Sequence, residues 1–146
     1  PTMTVKTKNI PERNDNLLLY RLDFVWSKFI SHVSQDNPIH IKFGRDSKFR
    51  LGSIKLDKKS NRSYITITSM FKDETIPVEV VDHTLAHELA HYTHGFSSKK
   101  TRLHKYPHVG GVVHKEMERR GIGYLTKAYK DWTKQYRKIL RKAYGY

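Results

Sequence analysis

The 146-residue chain contains no cysteine. Disulfides, thiolate nucleophiles and every cysteine-built zinc ribbon or finger are thereby excluded. Any metal must be held by His, Asp or Glu. There is also no apolar run near the roughly 18–20 residues that cross a bilayer, and mean hydropathy is −0.71. The opening PTMTVKTKNI lacks the apolar stretch of a secretory signal. The expected location is therefore intracellular, cytoplasmic or associated with the nucleoid or nucleus, with no membrane partner. Acidic side chains are scarce as well: 14 Asp and Glu stand against 28 Lys and Arg, for a formal net charge of +14. A field of that sign draws polyanions. No Asp/Glu cluster suited to magnesium is evident.

What is present is patterned. The length fits one domain, read as residues 1–146 with a polar arm over 1–14 and a basic C-terminal helix over 124–146. Leu18, Leu22, Val25, Trp26, Phe29 and Ile30 recur at helical spacing, which predicts a helix from about Leu17 to Val33, capped by Asp15 or Asn16. The period then changes to two in Ile39–Phe43, Ile54–Leu56 and Tyr64–Thr68, three short strands. The Asp57–Arg62 connection has hairpin character, so the second and third strands should be antiparallel. A second helix should start near Pro77 with Thr75 as its cap and stop at Gly95. A basic, polar loop follows over 96–107. A short helix is expected over 112–120, ended by Gly121 and Gly123, and a basic amphipathic helix over 124–143.

Seven of the nine histidines fall between His83 and His114. His87 and His91 are four apart, so on a helix they share one face, about 40° from each other. Glu88 follows the first of them by one residue, at the edge of that face, where it can reach a metal-bound water. This is the mechanical logic of H-E-x-x-H, two ligands and a general base on one helical turn. The apolar stripe Val81, Leu85 and Leu89 provides a means of burying that helix. Catalytic zinc takes three protein ligands and leaves a position for water. The third must come from beyond Gly95, and His94, His104, His108, His114 and Glu116 are the candidates. His108 is favoured because it precedes the Gly110–Gly111 pair, where the chain can fold back, and His114 is the main alternative. His83, one turn before His87, is read as a hydrogen-bonded helix histidine, with part of a second metal site or a substrate contact as the alternatives.

These residues resemble the SprT-like family of zincin metallopeptidases. Leu51-Gly52-Ser53, Tyr64-Ile65-Thr66-Ile67-Thr68, Pro77, Val80-Val81 and Thr84-Leu85-Ala86-His87-Glu88-Leu89-Ala90-His91 follow the family's order and approximate spacing. The segment His108-Val109-Gly110-Gly111-Val112-Val113, continued by Lys115-Glu116-Met117, occupies the place of the family's third histidine and second helix. It departs from the pattern in Val109, in an aliphatic residue replacing an aromatic, and in one extra residue before Met117. The similarity covers about residues 17 to 123. It implies an α+β zincin-like domain: an N-terminal helix, a small three-stranded, mostly antiparallel sheet, the H-E-x-x-H helix, a second ligand helix and the basic C-terminal helix. Relatives often carry a C-terminal zinc ribbon, which this cysteine-free chain lacks.

By chemistry and by resemblance, His87, His91 and His108 would hold one Zn2+ per chain, with Glu88 as general base. A further oxyanion donor is needed, and Tyr106, Tyr124 and His83 are the candidates. Lys127, Lys130, Lys134, Arg137, Lys138, Arg141 and Lys142, with Tyr129, Trp132, Tyr136 and Tyr144 interleaved, are candidate nucleic-acid contacts. The expected function is a zinc endopeptidase acting on proteins associated with or crosslinked to DNA, single-stranded or sequence-nonspecific. The alternatives are a metallopeptidase without DNA coupling and a non-catalytic basic nucleic-acid-binding protein with a structural metal. A metal-dependent nuclease fits three histidines and one glutamate less well.

Overall fold

Asn14 opens the first helix: its side chain accepts from the backbone N–H of Leu17 at 3.1 Å, satisfying one of the donors a helix start leaves unpaired. The structure, a computed structural model, describes residues 13–95, 115 and 118–144. Helix α1 spans Asp15–Phe29. Asp15 and Asn16 are thus not its caps. The Asp15 carboxylate instead accepts from the Phe43 N–H at 2.9 Å and ties the first turn of α1 to the first strand. The helix also ends before Val33. Residues 30–33 leave it as a turn held by Val33 N–H to Ile30 carbonyl at 2.9 Å and by Trp26 Nε1 to Val33 carbonyl at 3.2 Å.

Three strands follow: β1 (Ile39–Phe43), β2 (Gly52–Asp57) and β3 (Arg62–Ile67). β2 and β3 form the expected antiparallel hairpin, with Ile54 opposite Ile65. Asn61 turns the corner at φ 59°, a conformation asparagine tolerates better than most residues. The sheet order is β1-β3-β2, and β1 runs parallel to β3 with Ile41 opposite Ile65. The sheet is therefore mixed, not mostly antiparallel. Period-two alternation reports which face a residue occupies but not which strand lies beside it. Here the 44–51 connection carries the chain past the place that β3 later fills. On β3, Ser63, Ile65 and Ile67 face the interior.

A 3₁₀ turn over Ser69–Lys72, absent from the sequence expectation, brings Phe71 into full burial. Arg13 clamps this region by donating to the carbonyls of Phe71, Asp73 and Ile76 at 3.1, 2.9 and 2.6 Å. Helix α2 (Val78–Thr93) begins at Pro77 without a side-chain cap. Thr75 is not that cap, because its hydroxyl donates to Asp73 at 2.7 Å. Gly95, at φ +84°, terminates the helix as expected.

α2 is the central element. Val80, Val81, Leu85 and Leu89 are each at most 1% exposed and join Leu18, Val25, Ile65 and Phe71 in one core. Asp82, also buried, receives a two-pronged contact from Arg21 of α1, including Nε to Oδ1 at 2.8 Å. Burial pushes the Asp82 carboxyl up, while the Arg21 hydrogen bond and charge pull it back. Of the helix expected over 112–120, Lys115, Glu118 and Arg119 are described and helical. Gly121, at φ +82°, ends that segment. Helix α3 (Gly123–Tyr144) then packs on α2 through buried Leu125 and half-buried Tyr129 and Trp132. Among the described residues the fold is α+β, with the helices α1, α2 and α3, the helical residues of the 115–119 segment and a small mixed sheet. No helix among the described residues is long and apolar enough to cross a membrane.

Candidate metal centre

The burial of α2 on most sides is what gives its polar residues a role. His91 and Glu88 are 7% and 4% exposed, and His87 is half-buried. The four-residue spacing stands the two imidazoles side by side, rings at 82° with centroids 4.8 Å apart. Their Nε2 atoms face each other at 3.2 Å. A tetrahedral ion with Zn–N bonds of about 2.0–2.1 Å would separate two ligand nitrogens by about 3.3–3.4 Å. The pair is thus spaced to share one ion almost without adjustment. In the absence of an ion the same contact is a hydrogen bond, with one ring donating and the other accepting. With a Glu88 carboxylate oxygen included, the three donor atoms lie within 4.8 Å of one another, so His87, Glu88 and His91 form a group that could hold a metal ion.

Glu88 is set apart from an ordinary surface carboxylate. Burial pushes its pKa up to about 7, against the opposing pull of the Arg50 charge. A carboxyl group titrating near neutrality is matched to proton transfer at ordinary pH. A bound cation would draw it back down.

The sheet reaches this group through Gly52. A Cβ there would meet Thr84 Cγ2 at 2.8 Å, Ile67 Cδ1 at 3.3 Å and Glu88 Cγ at 3.6 Å. Only glycine lets the start of β2 lie this close to α2. β2 pairs with β3 alone among the described residues, which makes it an edge strand of the described sheet, and its first residue, Gly52, lies beside Glu88.

The other candidates are distributed around this core. His83 stacks on Tyr129 with centroids 4.3 Å apart and planes within 10°. Tyr124 is engaged by α1: its hydroxyl accepts from Lys28 Nζ at 3.1 Å and its ring tilts against Phe29. His94 caps α2 and is buried, but it does not join the three-residue group. His104, Tyr106, His108, His114 and Glu116 lie outside the described residues. Lys127, Lys130, Lys134, Arg137, Lys138, Arg141 and Lys142 are all exposed along α3. Lys127 is paired with Asp131 at 2.8 Å. Arg50 was not anticipated, because it sits in an irregular segment with no periodic signal. The stacking of His83 on Tyr129 also had no local signal.

No protein-family model, curated protein or solved structure matches the chain. The functional reading therefore rests on the geometry of these residues and on their chemistry.

Proposed function

We propose that the chain is a metal-dependent hydrolase acting on carbonyl carbon. Within that class, we propose a SprT-like zinc endopeptidase that cleaves proteins associated with or crosslinked to DNA. The observation that carries this reading is the buried His87–Glu88–His91 group, with its two Nε2 atoms 3.2 Å apart. An all-imidazole pair favours zinc over magnesium or calcium, which prefer oxygen. Zinc bound there would supply an acidified water and a polarised carbonyl.

The chain's own residues divide the remaining work. His87 and His91 hold the ion, with His108 as the proposed third ligand and His114 its alternative. Glu88 accepts the proton of the attacking water and returns it to the leaving amine. Its raised pKa and its position beside Gly52, at the start of edge strand β2, support that role. An extended peptide can add to an open sheet edge through main-chain hydrogen bonds. On β2 it would pass in front of Glu88. His83, stacked on Tyr129 one helical turn before His87, and Arg50, whose charge acts on Glu88, are described groups that could contact substrate. The coupling to DNA is supported by the exposed cations of α3 and the net charge of +14. Binding dominated by phosphate contacts should fall steeply with salt and show little sequence preference.

The test combines zinc-loaded protein with a DNA-binding substrate protein, with and without single-stranded DNA, and with Glu88→Gln as control. Cleavage that DNA accelerates and Glu88→Gln abolishes is the expected result. Equal cleavage with and without DNA leaves an uncoupled peptidase. DNA binding with no cleavage under any condition removes the enzymatic reading in favour of a binding protein.

A further inference from the structure

A groove of about 390 Å³ lies between the 48–51 segment and α3, within the roughly 300–1,000 Å³ typical of ligand sites. Two of its lining residues connect it to the histidine group. Leu51 lines it and immediately precedes Gly52, which abuts Glu88. Tyr129 lines it and stacks on His83, one helical turn before His87. Leu51, Trp132 and Leu140 supply an apolar floor, and the Tyr136 hydroxyl donates to the Lys48 carbonyl at 2.9 Å, fixing the wall. Phe49, 69% exposed, stands at the rim. Lys48, Arg137 and Arg141 add positive charge, and no described residue lining the groove is acidic.

Two kinds of occupant suit aromatic rings and cations: nucleic-acid bases, or an apolar side chain with acidic neighbours. The ring geometry favours the second. Trp132 presents one face to Tyr136, parallel within 11° at 4.7 Å, and meets Phe71 edge-on at 5.8 Å. Tyr129 gives a face to His83. Trp132 and Tyr136 thus cover a face of each other and His83 covers a face of Tyr129, so these rings serve as walls, whereas base binding uses ring faces open to successive bases.

We infer that this groove is the specificity pocket for the protein substrate. It takes a bulky apolar side chain from a segment running along the β2 edge, and Arg137 and Arg141 hold an acidic residue next to it. This inference rests on the peptidase reading and names its substrate class: extended, locally acidic segments carrying Phe, Leu or a residue of similar bulk. The cations of α3 that do not line the groove, such as Lys130, Lys138 and Lys142, remain for phosphate.

The experiment uses fluorescent peptides of equal length. Their central residue is Phe, Leu or Ala, and their flanks are acidic or basic. Binding is measured by anisotropy on zinc-free protein, and kcat/KM on zinc-loaded protein. The Phe- and Leu-centred acidic peptides should bind at least tenfold tighter than the Ala-centred or basic ones, a difference of about 1.4 kcal/mol. Phe49→Ala should reduce that preference, and the double variant Arg137→Glu/Arg141→Glu should turn it toward basic flanks. All three positions are exposed, and unchanged thermal melting would establish that the variants fold. Cleavage of the peptides without any such preference overturns the pocket and leaves the peptidase reading standing. Preferential binding without cleavage sinks the peptidase reading and leaves a peptide-binding groove. Displacement of the bound peptide by short oligothymidine, abolished by Phe49→Ala, would make the occupant nucleic acid and overturn the inference.

Discussion

The rings of His83 and Tyr129 lie face to face, 4.3 Å apart and within 10° of parallel. The contact joins the helix of the histidine pair to the basic helix, so the two candidate functions of the molecule meet at one stack. It also lies beside the 390 Å³ groove that Tyr129 lines.

Replacing Tyr129 with Ala should therefore loosen α3 from α2. Loss of a half-buried ring and its aromatic partners is expected to cost about 2–3 kcal/mol of stability. Tyr129→Phe keeps the stack and should stay within about 0.5 kcal/mol of wild type. Urea unfolding monitored by tryptophan fluorescence measures both. A large loss in Tyr129→Phe would mean that the hydroxyl, and not the ring, anchors the helix.

The histidine pair predicts a metal stoichiometry. Wild-type protein purified with zinc should hold about one ion per chain, and His87→Ala or His91→Ala should each lose it. Saturating zinc should raise the stability of wild type by about 2.7 kcal/mol at a hundredfold excess over Kd, and leave either variant unmoved. Elemental analysis and calorimetry measure the two quantities. Zinc retained in His91→Ala would place the ion elsewhere.

Gly52 should tolerate no side chain. Alanine there would press on Thr84 at 2.8 Å, on an element that also carries Glu88. A cost of about 1–3 kcal/mol is expected from the overpacking. Proteolysis should fall further than stability accounts for, since Glu88 Cγ is only 3.6 Å from the new methyl. Melting temperature and kcat/KM on the same preparation separate the two effects.

Arg21 and Asp82 make a test of the scaffold away from the histidine pair. Arg21→Ala strands a carboxylate that is 2% exposed and should cost about 2–4 kcal/mol. The double change Arg21→Met/Asp82→Leu should recover most of it. No recovery would mean that the pair does more than neutralise its own charges.

The elements read from local pattern were the legible ones. β1 was found at its bounds because alternation over Ile39–Phe43 is unbroken, and α2 because its apolar stripe ends at a glycine. The His87–His91 pair was legible for the same reason: four-residue spacing on a helix is itself the geometry. Long-range choices were not legible. Nothing around Ile41 says that Ile65 will lie beside it in parallel. Nothing near Asp15 says that its carboxylate will serve Phe43 and leave the capping to Asn14. The charge of Arg50 acts on Glu88 from an irregular segment, and the groove is formed by parts of the chain distant in sequence.

The strand order β1-β3-β2 has a kinetic consequence. β2 and β3 can zip together locally through their short turn, whereas Ile39 must find Ser63 across an intervening strand. Loop closure over that distance is slower and gains little until the hairpin exists. The hairpin is therefore expected to form in the folding nucleus and β1 to dock afterwards. Ile54→Val should chiefly slow refolding, and Ile41→Val should chiefly hasten unfolding, in stopped-flow measurements. The strand whose Gly52 abuts Glu88 would then be assembled before the sheet is complete.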